Sequence, residues 1–360
     1  MNKVIDLRSD TASQPTPEVR EAVLSVPMGD DLLREDETTN TLLTTFCQML
    51  GMEDALLSSS GTMSNQIAIK ALTKPGDEIL LGPESHILNL EAAGTAANSH
   101  VQTRDINVHR GQYDPQDIES SVFDATLQRA PTSVVCLESS YDLNSGYVTT
   151  LENLREIRRI ADKFEIPIFM DGARVLNAAC TLEVELREIC QYVDAVHVSL
   201  NKGLGAPIGS ILAGSGTFIR KSRRIRQRLG GGIRHTGFMA APALVTLDNW
   251  RDRLERDHRL TSHIANHLDS KSLFTIINQP VETNIVCVGL NTDQIEISCL
   301  IKFLKTENIL VKQVSQNAIR LVVHQTITSE DVQETIRAFD KFMESYHSNL
   351  QSYRMNHKSS

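Results

Sequence analysis

Hydrophobic positions along this chain fall into two patterns. Four short, nearly continuous apolar runs are bounded by glycine, proline and polar turns: "EILLG" (Glu78–Gly82), "SVVCLE" (Ser133–Glu138), "IPIFM" (Ile166–Met170) and "AVHVSL" (Ala195–Leu200). Each predicts a buried strand. Between them the period changes. Leu151, Leu154, Ile157, Ile160 and Phe164 recur on one stripe and predict a helix over Leu151–Phe164, with Thr149 and Glu152 as a capping box at its start. Continuous apolar strands alternating with helices predict an α/β fold: a mostly parallel sheet with helices on both faces.

The same patterns divide the chain. Residues 1–45 are polar, rich in Asp and Thr, and read as an N-terminal arm; 46–245 form the large sheet domain. The charged helix "LDNWRDRLERDHRLTSHIANHL" leads into a small C-terminal α+β domain over 246–348. That domain holds "TNIVCVGL", a helix near Ile295–Thr306, "AIRLVVH" and a final helix Ser329–Tyr346, and 349–360 read as a loose tail. A length of 360 residues suits two such domains.

Composition narrows the function. With 36 Lys and Arg against 45 Asp and Glu, the net charge is −9, which argues against a nucleic-acid-binding surface. No apolar run is long enough to span a membrane, and "MNKVIDLRSDT" lacks the apolar stretch of a signal peptide. Six cysteines are scattered without a CxxC pair and read as reduced core residues. A cytoplasmic protein without membrane or nucleic-acid partners is expected.

Ligands of a doubly wound sheet bind outside the carboxyl ends of its strands, and here those ends carry chemistry. "IPIFMDGAR" ends in Asp171 and Arg174, "AVHVSLNK" in Ser199 and Lys202, and "SVVCLESSYD" in Glu138, Tyr141 and Asp142. Upstream, "SSSGTMSNQ" puts Ser60, Gly61 and Thr62 directly before a helical stretch, where free N–H groups and hydroxyls face an anion. Taken singly these are a turn lysine, a buried acid and a capped helix. Taken together, in this chain order, they are what a pyridoxal 5'-phosphate site requires: a lysine for the Schiff base, a carboxylate for the pyridine nitrogen, and a cradle for the phosphate.

Seven further blocks lie in order between "DLRSDT" (Asp6–Thr11) and "IRLVVH" (Ile319–His324): "GDD…ED" (Gly29–Asp36), "SGTMSNQ", "GDEILLG…SHI", "MDGAR", "SLNKGLGAP", "GGGIRHTG" and "TNIV". On these residues the chain resembles the low-specificity threonine aldolase and β-eliminating lyase family, fold type I pyridoxal phosphate enzymes of the aspartate-aminotransferase type. The resemblance implies that Lys202 is the Schiff-base lysine and Asp171 the pyridinium partner. It places Ser60, Gly61, Thr62 and Ser199 near the phosphate and stacks His86 on the ring. Ser9, Arg174 and Arg320 would hold the substrate carboxylate. Arg234 would reach the phosphate of a neighbouring subunit, making the enzyme a homodimer or homotetramer with shared active sites. The implied substrate is a small amino acid, and no metal is implied.

The chain departs from the family beside the substrate. Leu33 and Arg34 replace a tyrosine and a glycine, Leu88 and Leu90 replace aromatic positions, and Gln227 replaces a lysine. Tyr141 and Asp142 stand where the family has a histidine and an asparagine. The lost histidine lies near the substrate β-hydroxyl in the aldolases, so Tyr141 is taken here as a candidate catalytic residue. Three readings follow. The first is cleavage of a β-hydroxy-α-amino acid, such as threonine, allo-threonine or a bulkier analogue, to glycine and an aldehyde. The second is racemisation or β-elimination, with Tyr141 facing Lys202 across the substrate. The third is an inert scaffold, against which the retained Lys202, Asp171, Arg174, Arg320 and His86 all argue. Elsewhere, His263 and His267 read as an exposed helix face, His197 as a satisfied core histidine, and "RKSRRIRQR" (Arg220–Arg228) as a solvated helix.

Overall fold

The computed structural model of the chain describes residues 3–141 and 144–356. It divides into two compact units, Gln14–Leu254 and a second one made of Met1–Ser13 with Glu255–Ser360. In the larger unit a seven-stranded sheet runs in the order Asp54–Ser58, Ser210–Gly214, Ala195–Ser199, Ile168–Asp171, Thr132–Glu138, Glu78–Leu81 and Gln102–Asp105. Five neighbouring strands are parallel, and Ser210–Gly214 runs antiparallel to both its neighbours.

Alternation along each strand explains why both faces are covered. Leu80, Val135, Leu137 and Val196 enter one apolar cluster; Ile79, Leu81, Val134, Cys136 and Ala195 enter another. Helices such as Leu151–Lys163, carrying Leu154, Ile157 and Ile160, close the first face, and Gly61–Leu72, carrying Ile67 and Ile69, closes the second. This is the expected α/β arrangement, a fold type I architecture. The helix cap lies one residue later than the sequence pattern placed it. Thr150 caps the helix by accepting from the Asn153 N–H, because the Thr149 hydroxyl is spent on the Gly111 carbonyl.

Residues 14–45 are not a free arm. A helix over Pro17–Ser25 starts at the Thr16 cap, and a second over Glu37–Leu50 starts at Asp36 and buries Leu42, Leu43 and Phe46 in the core. In the smaller unit, Phe274–Ile276, Ile285–Leu290, Ala318–Val322 and Lys312–Ser315 form an antiparallel sheet. Ile297–Thr306 and the last helix pack on it, and Ile5–Asp6 pairs parallel with Ile309–Leu310. The last helix runs on to Asn356, beyond Tyr346; of the expected tail, 357–360 lie outside the described residues. His267 pairs with Asp340 at 2.9 Å and His263 with Gln333 at 2.9 Å, so both serve a seam between helices. Among the described residues no helix is long and apolar enough to cross a membrane.

Candidate active site

Parallel pairing sets Glu138 beside Asp171 and Asp171 beside His197, one residue from each of three adjacent strands at the carboxyl end of the sheet. All three are buried. They form one wall of a cavity of ≈ 180 Å³ that also meets Ser60, Gly61, Thr62, Asn65, His86, Ser140, Arg174, Ser199 and Lys202. The strand-end reading therefore brings Lys202, Asp171, Arg174, Ser199, His86 and the Ser60–Thr62 turn together.

The turn is built by hydroxyls. Ser58 Oγ reaches both the Ser60 carbonyl at 3.0 Å and Ser64 Oγ at 2.7 Å, and Ser64 Oγ meets Ser210 Oγ at 3.0 Å. Ser60 then caps the Gly61–Leu72 helix by accepting from Met63 N–H, leaving the Gly61 and Thr62 N–H groups at the helix start. A side chain at Gly61 would put Cβ 2.9 Å from His197 Nε2 and 3.2 Å from Ser199 Oγ, so only glycine leaves the cradle open. At Lys202 the turn depends on glycine for another reason. Gly205 and Gly209 have φ of 81° and 110°, and they let the Gly205 N–H return to the Lys202 carbonyl and the Leu200 N–H to the Gly209 carbonyl.

Electrostatics separates the two buried carboxyls. Burial raises Glu138, and the neighbouring Asp171 charge raises it further, against the His86 N–H, Lys202 and Arg174. Burial also opposes ionisation of Asp171. It is outweighed there by His197, Lys202, His86 and the Asn65 amide, which hold Asp171 below the ordinary carboxylate range. Two facing acids in one site are pushed apart, one held anionic and one protonated. His197 is lowered by burial, against the pull of Asp171. It was expected to be a satisfied core histidine; instead its Nδ1 is buried without a hydrogen-bond partner, 3.4 Å from Asp171 Oδ1 in the cavity wall.

Sequence reasoning missed the network behind these groups. The Asn65 amide donates to both Asp171 Oδ2 and Glu91 Oε1, each at 2.7 Å, and Gln66 donates to Glu91 Oε2 at 2.7 Å. Glu91 Oε1 also meets His86 Nδ1 at 2.9 Å, and the His86 backbone N–H donates to Glu138 Oε2 at 2.7 Å. Asn65 and Gln66 lie in the quoted "SGTMSNQ", but their polarity inside an otherwise apolar helix face was the only signal of this role. Glu91 is buried and is invisible as a partner without the fold.

Tyr141 is not where it was expected. It does not line the cavity. Its hydroxyl donates to Glu84 Oε2 at 2.8 Å and accepts from the Glu84 N–H at 3.1 Å, close beneath Gly82, while its ring packs edge-on against Tyr113. Burial drives the phenol well above its usual value, so it is neither placed nor charged to act as a base. Residue 142 lies outside the described residues. Within the chain Arg234 is exposed and pairs with Asp30 at 2.7 Å, away from the cavity lining. Ser9 and Arg320 belong to the smaller unit. Ser9 caps the Asp10–Ala12 turn, and buried Arg320 donates to the Arg8 carbonyl at 2.7 Å.

A lysine, an ionised buried carboxylate and a helix-start anion cradle at the carboxyl ends of a mostly parallel sheet are the parts of a fold type I, pyridoxal phosphate-dependent enzyme. The residues present fit that cofactor: the Gly61 cradle is open, and the buried Asn65 Oδ1 and His197 Nδ1 in the cavity wall have no hydrogen-bond partner. Comparison with known proteins agrees. The chain belongs to the β-eliminating lyase family, whose model matches residues 6–293. Low-specificity L-threonine aldolase 1 of Arabidopsis thaliana is 33% identical over 344 residues, covering 94% of this chain and 96% of that protein. Low specificity L-threonine aldolase of Saccharomyces cerevisiae is 36% identical over 302 residues, covering 82% and 77%. The solved structure of Leishmania major threonine aldolase has a TM-score of 0.80 at 15% identity, covering 94% of this chain and 99% of its own.

Proposed function

We propose that this chain is a pyridoxal 5'-phosphate-dependent aldehyde-lyase that cleaves a β-hydroxy-α-amino acid to glycine and an aldehyde. The observation that carries it is the convergence of Lys202, Asp171 and the Ser60–Thr62 turn on one cavity. When bound, the cofactor supplies an aldehyde that condenses with amines and a ring that withdraws electrons from the substrate Cα. The chain's own residues do the rest. Lys202 offers the amine, and Asp171, kept anionic, holds a proton on the ring nitrogen. Ser60, Gly61, Thr62 and Ser199 take the phosphate, and His86 lies against the ring. Arg174 orients the substrate carboxylate; a planar guanidinium suits a carboxylate bidentately.

His86 is also the base that takes the β-hydroxyl proton. Its Nδ1 faces the Glu91 carboxylate, which selects the Nδ1–H tautomer and leaves Nε2 as the basic nitrogen. Tyr141, engaged at Glu84, does not serve as the second base that a racemase requires, and cleavage is favoured. The same reading includes a homodimer or homotetramer sharing active sites through Arg234. It also includes a cytoplasmic location. The test is incubation of the cofactor-saturated protein with threonine, allo-threonine and phenylserine, assaying glycine and aldehyde. Formation of both at equal rates is expected; exchange of the Cα hydrogen with inversion and no glycine would replace this reading by racemisation.

A further inference from the structure

A second concave site lies at the other end of the Gly61–Leu72 helix, on the order of 18 Å along its axis from the cradle. It is a groove of ≈ 760 Å³ walled by Lys70, Ser99, Arg220, Lys221, Arg224 and Arg228, and no carboxylate lines it. Lys70 and Lys221 are fixed by donating to the Asn98 and Ala71 carbonyls, and Arg220 donates to Thr217 Oγ1 at 2.9 Å. Arg224 and Arg228 have no ion pair or hydrogen bond among the described residues.

Two features mark this groove as more than a solvated face. Arg220, Arg224 and Arg228 stand at i, i+4 and i+8 of one helix, the spacing at which like charges repel and weaken the helix. The chain keeps that cost in a protein of net charge −9, where acidic partners are plentiful. Independently, the Ser99 hydroxyl in the groove wall is buried, at 2% exposure, and has no hydrogen-bond partner. A buried donor left unsatisfied beside unneutralised guanidinium groups calls for an anion with acceptor oxygens.

We propose that this groove binds a small anion carrying two or more linked phosphate groups. The arginine stripe extends for roughly 12 Å along the helix, more than a single phosphate covers. The lining has no aromatic side chain on which a base would stack, so the phosphate chain itself is what is recognised. This site is separate from the catalytic cavity and does not depend on the proposed reaction.

Isothermal titration of the cofactor-saturated protein with inorganic triphosphate tests it, since the cofactor's own phosphate then fills the Ser60–Thr62 cradle. Saturable binding is expected. It should weaken at least tenfold in Arg220→Gln/Arg224→Gln, weaken in Ser99→Ala, fall steeply with added salt, and largely survive Arg224→Lys. ATP should bind within about threefold of inorganic triphosphate. In phosphate-free buffer the double variant should melt no lower than wild type, because a like-charge repulsion is removed. Absence of saturable binding to wild type, or equal binding by the folded double variant, would overturn the proposal.

Discussion

Replacing Tyr141 by Phe separates the two accounts of this residue, because structural and catalytic roles differ in both size and kind. The substitution keeps the ring, its edge-on packing against Tyr113 at 5.6 Å, and its burial. It removes one hydroxyl, and with it the 2.8 Å bond to Glu84 Oε2 and the 3.1 Å bond from the Glu84 N–H. Glu84 is exposed, so water re-solvates both partners and no desolvation penalty remains. Two ordinary hydrogen bonds at roughly 0.5–1.5 kcal/mol each give a loss of about 1–3 kcal/mol. For a unit of this size that is a fall in Tm of roughly 2–12 °C. The hydroxyl does not reach the cavity, so kcat and kcat/KM for glycine formation should stay within about twofold. A proton-transferring group would instead cost on the order of 10²–10⁴ in rate. Differential scanning fluorimetry and a coupled aldehyde assay read both numbers. A hundredfold loss of kcat with an unchanged Tm would refute the placement of Tyr141 behind the site.

Other outcomes follow from the same geometry. Gly61→Val drives side-chain carbons into space 2.9 Å from His197 Nε2 and should weaken cofactor binding at least tenfold; an absorbance titration with the cofactor checks this, and a twofold effect would be too small for a blocked cradle. Glu138, raised by burial and then by Asp171, binds more protons folded than unfolded. Its contribution to stability is complete below the ordinary carboxylate value of about 4.3 and is lost as pH climbs through its raised value. Glu138→Gln keeps an acceptor for the His86 N–H and should flatten that decline; parallel slopes of Tm against pH for both proteins would contradict it. Arg226→Ala strands the half-buried Asp31 carboxylate, 2.6 Å from the guanidinium, and should cost about 2–3 kcal/mol in urea unfolding. His86→Asn should lower kcat by about 10²–10⁴ while the cofactor's absorbance remains.

What could be read from the sequence follows from where the information resides. Apolar runs gave four central strands to within two residues, because a strand buried on both faces needs a continuous apolar stretch. Gln102–Asp105 escaped because it is a polar edge strand, and Asp54–Ser58 and Ser210–Gly214 because small and polar residues at their ends break up the apolar run. The residues gathered at strand ends were legible through the rule that parallel sheets bind at their carboxyl edge. Their second layer was not. Glu91 follows a four-residue helix and meets Asn65 and His86 only through the fold. Tyr141 shows the opposite failure: its position in the motif suggested the substrate, but a buried hydroxyl follows its nearest partner, here Glu84.

On the proposed function, the hydrogen-bond chain through Glu91 accounts for a site that works without the family histidine. The Asn65 amide has two hydrogens, and it spends one on Asp171 and one on Glu91, so the group that serves the cofactor and the group that orients His86 hold one another in place. Glu91 keeps the Nδ1–H tautomer, and the Glu138 carboxyl anchors the His86 backbone from the other side. Because Asp171 holds its negative charge, burial leaves the neighbouring Glu138 protonated. A base fixed at both its ring and its backbone is positioned as well by one carboxylate as by a facing histidine, since rate depends on the geometry of the proton acceptor more than on the number of candidates. Tyr141 is thereby released to support the Gly82–Glu84 turn, on which the first residue of the His86 segment depends.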